Sequence, residues 1–314
     1  MLKVLRAGIY TTVQDLGRHG FRRLGVSQSG ALDAPALKIA NLLVGNQADA
    51  AGLEITLGQF SAKFTKNCWI ALTGAGCNAQ LDGQPVWTGW CYAVKKGQQL
   101  TLKMPKYGMR SYLAVSGGID VPEVLGSRST DLKAAFGGWQ GRQLKEGDQL
   151  PLGAVQAQPK AMVGVHQLLF SNRVRVIPGP EYQEFSPEAQ ENFWRTPWQL
   201  TPQSNRMGYR LSSSCALQRT EQRELLSHGL LPGVIQVPHN GQPIILMADA
   251  QTTGGYPRIA CVIEADLYHL AQVRLGELIH FVPCSVAEAQ RAKAAQDHFI
   301  AQIAWGVQSA RLGN

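Results

Sequence analysis

Short apolar segments bounded by glycine or proline are the most constraining feature of the sequence. They are rich in branched and aromatic side chains, which favour β-strands, and the clearest are residues 69–73, 100–103, 111–115, 174–177, 244–247 and 259–263. The 33 glycines and 16 prolines of this 314-residue chain interrupt it too often for long helices to dominate. We therefore expect a mostly β fold with a few short helices and a C-terminal helix.

Three helices are predicted from residues that favour a helix N-terminus. The first ends before Gly45, the second runs toward Trp194, and the third extends to about Ala304. The residues that mark their starts are Asp33 with Pro35, Ser186 with Pro187, and Ser285 with Glu288. The apolar positions of the third helix recur at helical spacing, so we expect it to pack on the body of the protein.

Turn motifs recur in both halves of the chain and predict two related, barrel-like halves. Asp82-Gly83-Gln84-Pro85, for example, is echoed by Asn240-Gly241-Gln242-Pro243. The stretch 153–164 lacks periodicity and is the best candidate for a linker. The predicted domains are an N-terminal β-barrel-like domain at 1–165, a second β-barrel domain at 166–284, and a C-terminal helix at 285–314.

Positive charge is concentrated in the first third of the chain. Residues 1–115 contain 13 Lys and Arg against 5 Asp and Glu, whereas residues 116–314 contain 17 of each. Such an excess fits an acidic partner, an anionic substrate or nucleic acid, and equally a solvated basic face. No arginine–aromatic ladder accompanies it, so we do not expect nucleic-acid binding.

Several common functional classes are excluded by missing motifs. The sequence has no phosphate-binding loop and no dinucleotide fingerprint, and Gly25 to Gly30 fails the spacing of a nucleophile elbow. Six cysteines and seven histidines show no metal-ligand spacing, so no metal site is expected. No apolar run spans a bilayer and no secretory signal is recognised, which favours a cytoplasmic protein. A biotinylation motif is also missing, so no covalent biotin is expected on this chain.

Polar, glycine-rich loops in the second half form the first-choice site. Their glycines allow close approach of a ligand to the backbone, and their functional side chains are His239, Asp249, Gln251, Thr252, Thr253, Tyr256 and Arg258. The alternative is a long turn in which Asp249 and the threonines bind backbone donors.

Two further segments carry candidate residues. Asn205 and Arg206 lie together, and Arg206 could grip a carboxylate or phosphate, or equally form a structural ion pair with a glutamate such as Glu224. Asp15, Arg18 and His19 share one turn, for which a structural Asp–Arg pair is the alternative.

Four long segments resemble one known family. They are 12–18, 25–33, 204–211 and 238–257, and they are similar to the family formed by the C subunit of bacterial 5-oxoprolinase, also described as biotin-dependent carboxyltransferase-like or allophanate hydrolase subunit 2. The resemblance implies tandem β-barrel domains, the second cyclophilin-like. It also implies a cytoplasmic complex with subunits A and B that opens the lactam of 5-oxo-L-proline to L-glutamate at the expense of ATP with Mg²⁺.

Chemical roles can be assigned to the candidate residues once this reaction is assumed. Arg206 and Arg258 would hold anions, and Asp249 or Glu224 would transfer a proton, with Asp15 a further catalytic candidate. The other candidates, Asn205, His239, Gln251, Thr252, Thr253 and Tyr256, would bind the substrate. Two alternatives remain: a component of a biotin-dependent carboxyltransferase or urea amidolyase-type system, and a non-catalytic regulatory subunit.

Overall fold

The structure is a computed structural model that describes residues 1–221 and 224–312. It is mostly β, as predicted, and the helices of the described ranges are α1 (Ala34–Val44), α2 (Pro187–Arg195), α3 (Leu267–Gln272) and α4 (Val286–Leu312). No described helix is long and apolar enough to cross a membrane.

Backbone contacts divide the chain into two compact units. Unit 1 contains residues 1–18, 29–169 and 297 onward, and unit 2 contains residues 19–28 and 170–296. These units differ in three respects from the domains predicted from the sequence. Residues 19–28 group with unit 2, the boundary lies after residue 169 instead of 165, and helix α4 is split at residue 297 instead of forming a part of its own.

Unit 1 is built from two sheets. One contains β1 (Leu2–Ala7), β4 (Phe60–Phe64), β6 (Ala79–Leu81), β7 (Gln84–Val86), β9 (Gln99–Leu102) and β11 (Gln149–Leu150), and the other contains β2 (Tyr10–Gln14), β3 (Gly52–Thr56), β5 (Cys68–Gly74), β8 (Trp90–Val94) and β10 (Arg110–Val115). Their strand orders are β11-β1-β4-β9-β6-β7 and β2-β3-β10-β5-β8. The barrel-like first half therefore consists of two sheets instead of one closed ring of strands.

The central strand of the five-stranded sheet of unit 1, β10, is buried on both faces. Leu113 and Val115 of β10 face a core shared with the six-stranded sheet, whereas Tyr112 and Ala114 contact residues of helix α1. Every residue of β10 is buried, which explains why its second part, from Tyr112 to Val115, is continuously apolar and aromatic and not alternating.

Unit 2 contains a closed barrel of seven strands. They are β12 (Arg173–Pro178), β13 (Trp198–Leu200), β14 (Gly208–Ser212), β16 (Val234–Gln236), β17 (Ile244–Leu246), β19 (Arg258–Val262) and β20 (Leu278–Pro283). Their order is β12-β19-β16-β17-β14-β13-β20, and the parallel pair of β12 and β20 closes the ring. A separate two-stranded sheet pairs β15 (His228–Gly229) with β18 (Thr253–Gly254).

The helices predicted from capping signals are confirmed. Asp33 accepts a hydrogen bond from Ala36 N and caps α1, and Ser186 caps α2 in the same way. Ser285 and Glu288 form the predicted capping box of α4: Ser285 N donates to the Glu288 carboxylate at 2.8 Å, and Glu288 N donates to Ser285 Oγ at 3.2 Å. Helix α4 is longer than predicted, and α3 was missed because six residues are too few to show a helical period.

The turn of unit 1 that contains Gly147 and Asp148 is fixed by an ion pair. Arg142 donates two hydrogen bonds of 2.8 Å to Asp148, which also accepts one from Lys145 N at 2.8 Å. Partial burial raises the pKa of Asp148, but these hydrogen bonds outweigh it and lower the pKa from 3.8 to about 2.

We expect Asp148→Asn to destabilise unit 1 by on the order of 1 kcal/mol at pH 7. Because the folded-state pKa is below the unfolded one, this contribution is complete above about pH 4 and is lost as the pH falls toward 2. Chemical denaturation of both proteins at pH 7 and in acid measures the difference. The control is Asp49→Asn, at an exposed position, which should change the free energy of unfolding neither at pH 7 nor in acid. If the effect of Asp148→Asn stayed constant down to pH 2, the ion pair would not be the source of this stability.

Candidate functional site

A cavity of about 760 Å³ lies in unit 2, at the ends of several barrel strands. Its walls come from residue 185 and from residues 216–219, 224–225, 237–241, 251 and 254–257. The cavity is lined by four of the site residues that were predicted from the sequence: Glu224, His239, Gln251 and Tyr256. The volume is in the range of small-molecule sites, so this cavity is the candidate functional site.

Two glycines allow the loops around the cavity to pack closely. Gly241 has a φ of +71°, and a Cβ there would lie 2.8 Å from Leu217 N, whose N–H donates to Gly241 O at 2.9 Å. A Cβ on Gly255 would lie 2.7 Å from Leu225 O. Larger residues would push these loops apart, so the two glycines determine the shape of the cavity.

The polar groups at the wall differ in their exposure. His239 and Tyr256 are exposed, and their rings meet edge to face with centroids 6.2 Å apart. The buried amide of Gln236 donates a hydrogen bond of 3.2 Å to Tyr256 O and fixes that loop. Arg219 also lines the cavity and pairs with Glu184. The wall therefore offers a carboxylate from Glu224, an imidazole, a phenol, an amide and a guanidinium.

Arg206 and Asp249 form a buried ion pair. Arg206 Nε and Nη2 donate to the two carboxylate oxygens of Asp249 at 2.8 and 3.0 Å, and their side chains are only 4% and 5% exposed. Asp249 N also donates to Arg206 O at 2.9 Å. The structural ion pair considered for Arg206 is therefore formed with Asp249 and not with Glu224. Neither Arg206 nor Asp249 is among the residues that line the cavity.

Arg258 is held in the same manner. Its Nε and Nη2 donate to the carboxylate of Glu181 at 2.8 and 2.6 Å, and its backbone N donates to the same group at 3.0 Å. Partial burial raises the pKa of Glu181, but the hydrogen bonds from Arg258 outweigh it and the pKa is lowered. Arg258 therefore supports the loop that carries Tyr256.

Asp15 lies in unit 1, where it organises a turn. Its carboxylate accepts hydrogen bonds from Gly17 N at 2.8 Å, Ser127 Oγ at 2.6 Å, Arg128 N at 2.5 Å and Ser129 Oγ at 2.5 Å. The residue is only 8% exposed. A carboxylate with these partners is engaged in holding the turn.

The remaining candidates lie outside the cavity wall. Asn205 is exposed and accepts a hydrogen bond from Met207 N at 2.8 Å. Thr252 O accepts one from Leu230 N, and Thr253 belongs to β18. Arg219 was missed by the sequence analysis, because no motif marks its segment. Among the described residues, no group of three His, Cys, Asp or Glu is placed to hold a metal.

A sequence profile described as "Carboxyltransferase domain, subdomain A and B" matches residues 24–283. The chain belongs to this carboxyltransferase family. One relative, the C subunit of 5-oxoprolinase from Escherichia coli (strain K12), is 65% identical over 97% of this chain and 98% of that protein. The protein of the same name from Haemophilus influenzae is 43% identical over 96% and 97% of the two chains.

A solved structure also matches this member of the carboxyltransferase family. The crystal structure of the K. lactis urea amidolyase superposes with a TM-score of 0.89 at 31% identity. The match covers 96% of this chain and 20% of that much longer chain. The fold found here therefore occurs both as a separate chain and as one part of a larger enzyme.

We expect the pair of Arg206 and Asp249 to act on stability. Asp249→Leu and Arg206→Met each leave a buried charge without its partner, which costs about 3 kcal/mol. The double variant removes both charges, so its loss of stability should be well below the sum of the two single losses. Denaturation of the four proteins measures this coupling. Additive losses, or an unchanged stability for either single variant, would contradict the structural role.

Proposed function

We propose that this chain is a subunit of an ATP-dependent 5-oxoprolinase, which opens the lactam of 5-oxo-L-proline to L-glutamate. The 65% identity to the C subunit of the E. coli 5-oxoprolinase, over nearly the full length of both chains, carries the proposal. The enzyme is a hydrolase acting on a cyclic amide. It works as a multi-subunit complex, and the partners are the subunits A and B.

The cavity in unit 2 is the proposed place where this chain meets the small-molecule substrate. A five-membered lactam resists water because its nitrogen donates electrons to the carbonyl. Phosphorylation of the carbonyl oxygen by ATP would remove this resistance and prepare the carbon for attack by water. The ring C–N bond would then break, the nitrogen would take a proton, and the phosphoryl group would remain on the new acyl group as an acyl phosphate. A second water would hydrolyse this acyl phosphate to the glutamate carboxylate and inorganic phosphate. The site therefore needs a group that transfers protons and a cation for the substrate carboxylate.

The residues of the cavity wall fit these needs. Glu224 is the proposed proton-transfer group, since it is exposed and is among the residues that line the cavity. Arg219 places a positive charge in the same wall. His239, Gln251 and Tyr256 would hold the ring by hydrogen bonds and ring contact. In this proposal Arg206, Asp249 and Arg258 support the loops and do not contact the substrate.

ATP with Mg²⁺ enters the proposal as a co-substrate of the complex, and the cytoplasm is the proposed location.

A biotin-dependent carboxyltransferase is the second candidate function, favoured by the structural match to the urea amidolyase. That function requires biotin on a separate carrier. Two results together would establish carboxyl transfer in place of 5-oxoprolinase activity. A biotinylated protein would be recovered in a stoichiometric complex with this chain, and removal of that protein would abolish carboxyl transfer.

We expect the purified chain alone to show no ATP hydrolysis dependent on 5-oxoproline. The E. coli relative is named as a subunit, so activity should need all three subunits. Co-expression of A, B and this chain, with each omitted in turn, measures the requirement. Full activity without this chain would overturn a catalytic role and support a regulatory one.

Glu224→Gln should lower the turnover of the complex by about 10²-fold or more, because the amide cannot accept a proton. The matched control is Glu221→Gln, which changes an exposed glutamate that does not line the cavity. Steady-state kinetics on complexes of equal thermal stability make the comparison. Equal rates for the two variants would remove Glu224 from the site.

A further inference from the structure

Three turns of unit 1 come together in what we call the three-turn patch: Arg6–Ile9, Leu57–Gln59 and Lys103–Gly108. A Cβ on Gly8 would lie 2.5 Å from Gly58 O, and a Cβ on Gly58 would lie 2.1 Å from Lys103 O. The side chain of Arg6 also donates a hydrogen bond of 2.8 Å to Gln59. These close approaches make the three turns one continuous surface.

The central turn of the patch has a strained backbone. Leu57, Gly58 and Gln59 have φ values of +56°, +62° and +54°, a conformation that is unfavourable for the two residues with side chains. Leu57 N donates to Met109 O at 2.7 Å, which ties this turn to the end of the third one. Such strain persists only where the surroundings enforce it, and it often occurs at functional surfaces.

The patch exposes large apolar side chains. Ile9 is 54% exposed, Met104 is 48% exposed and Tyr107 is 79% exposed. Large exposed apolar side chains on turns that pack against one another are typical of protein interfaces, where tyrosine and methionine are enriched.

The charge of the patch has one sign. Arg6, Lys103 and Lys106 are exposed, and its three turns contain no Asp or Glu. In the described part of the chain, none of these three cations forms a salt bridge with a carboxylate. The patch therefore combines exposed apolar side chains with uncompensated positive charge.

We infer that the three-turn patch is a docking surface for an acidic protein partner, namely another subunit of the complex. This inference rests on the proposed function, which supplies the partner. The apolar residues would contribute contact area, and the cations would steer an acidic surface toward it. Nucleic acid is less suited to this patch, since its recognition requires more cations along a groove and less exposed aliphatic surface.

The test uses two triple variants with the same change in charge. The first is Arg6→Glu, Lys103→Glu and Lys106→Glu. The control is Lys95→Glu, Lys133→Glu and Lys160→Glu, all at exposed positions of unit 1. Lys95 precedes β9 and Lys103 follows it, so that this four-residue strand separates them by roughly 13 Å. The probe is the co-purified A and B subunits, immobilised for measurements of association and dissociation rates.

The patch variant should associate about tenfold or more slowly at low salt, and its rate should depend less on salt than that of the unaltered chain. The control variant should stay within about twofold. Tyr107→Ala should raise the dissociation rate by about tenfold, whereas Trp87→Ala, which removes an exposed aromatic residue outside the patch, should not. Equal effects of the patch and control variants, or no effect of either, would overturn the inference.

Two failures can be told apart. If the unaltered chain does not bind subunits A and B, the proposed function fails, and the docking inference fails with it. If the unaltered chain binds and the patch variants bind equally well, only the docking inference fails. A single-stranded oligonucleotide is also tested as a competitor of subunits A and B at physiological salt. If it competes with the unaltered chain but not with the patch triple variant, the patch is a nucleic-acid surface and the inference is overturned.

Discussion

Carboxylates that accept backbone N–H groups are the interaction on which the loops of both units depend. The strands are short, so much of the chain lies in turns whose N–H groups have no partner in a sheet. Most of these groups donate to backbone carbonyls, but at several loops and strands a carboxylate is the acceptor: Asp15 for Gly17 and Arg128, Glu54 for Leu32, Asp148 for Lys145, Glu181 for Arg258, and Asp266 for Arg175. Several of these carboxylates also bind a guanidinium, which fixes one loop against another.

This use of carboxylates explains why the fold was easier to predict than the site. Helices α1, α2 and α4 start at local capping signals, and the strands follow from short apolar runs, so both are visible within a few residues. Arg206 and Asp249 are 43 positions apart, and nothing in the sequence shows that they meet. Each resembles a catalytic residue in its own segment, and only the fold reveals the pair.

The cavity also shows that the sequence alone does not reveal which side chains meet. Glu224, His239, Gln251 and Tyr256 come from three loops. The sequence identified the last three because polar groups and glycines occur together in their loops, and it named Glu224 only as a possible ion-pair partner of Arg206 or a group for proton transfer. Arg219 lies in a segment without such a pattern, and it reaches the wall because Gly241 lets its loop approach residues 216 and 217. Polar composition thus predicts which loops are involved, whereas backbone packing decides which side chains meet.

The division of the chain between its units has a consequence for synthesis. Unit 1 includes residues 297 onward, and unit 2 includes residues 19–28. The side chains of Ile303 and Val307 belong to a core cluster that contains Leu43 and Ala114. That cluster cannot be completed until Ile303 and Val307 have left the ribosome. Unit 1 therefore cannot complete its folding while unit 2 is being translated. Its N-terminal strands form their last contacts only after unit 2 has been synthesised.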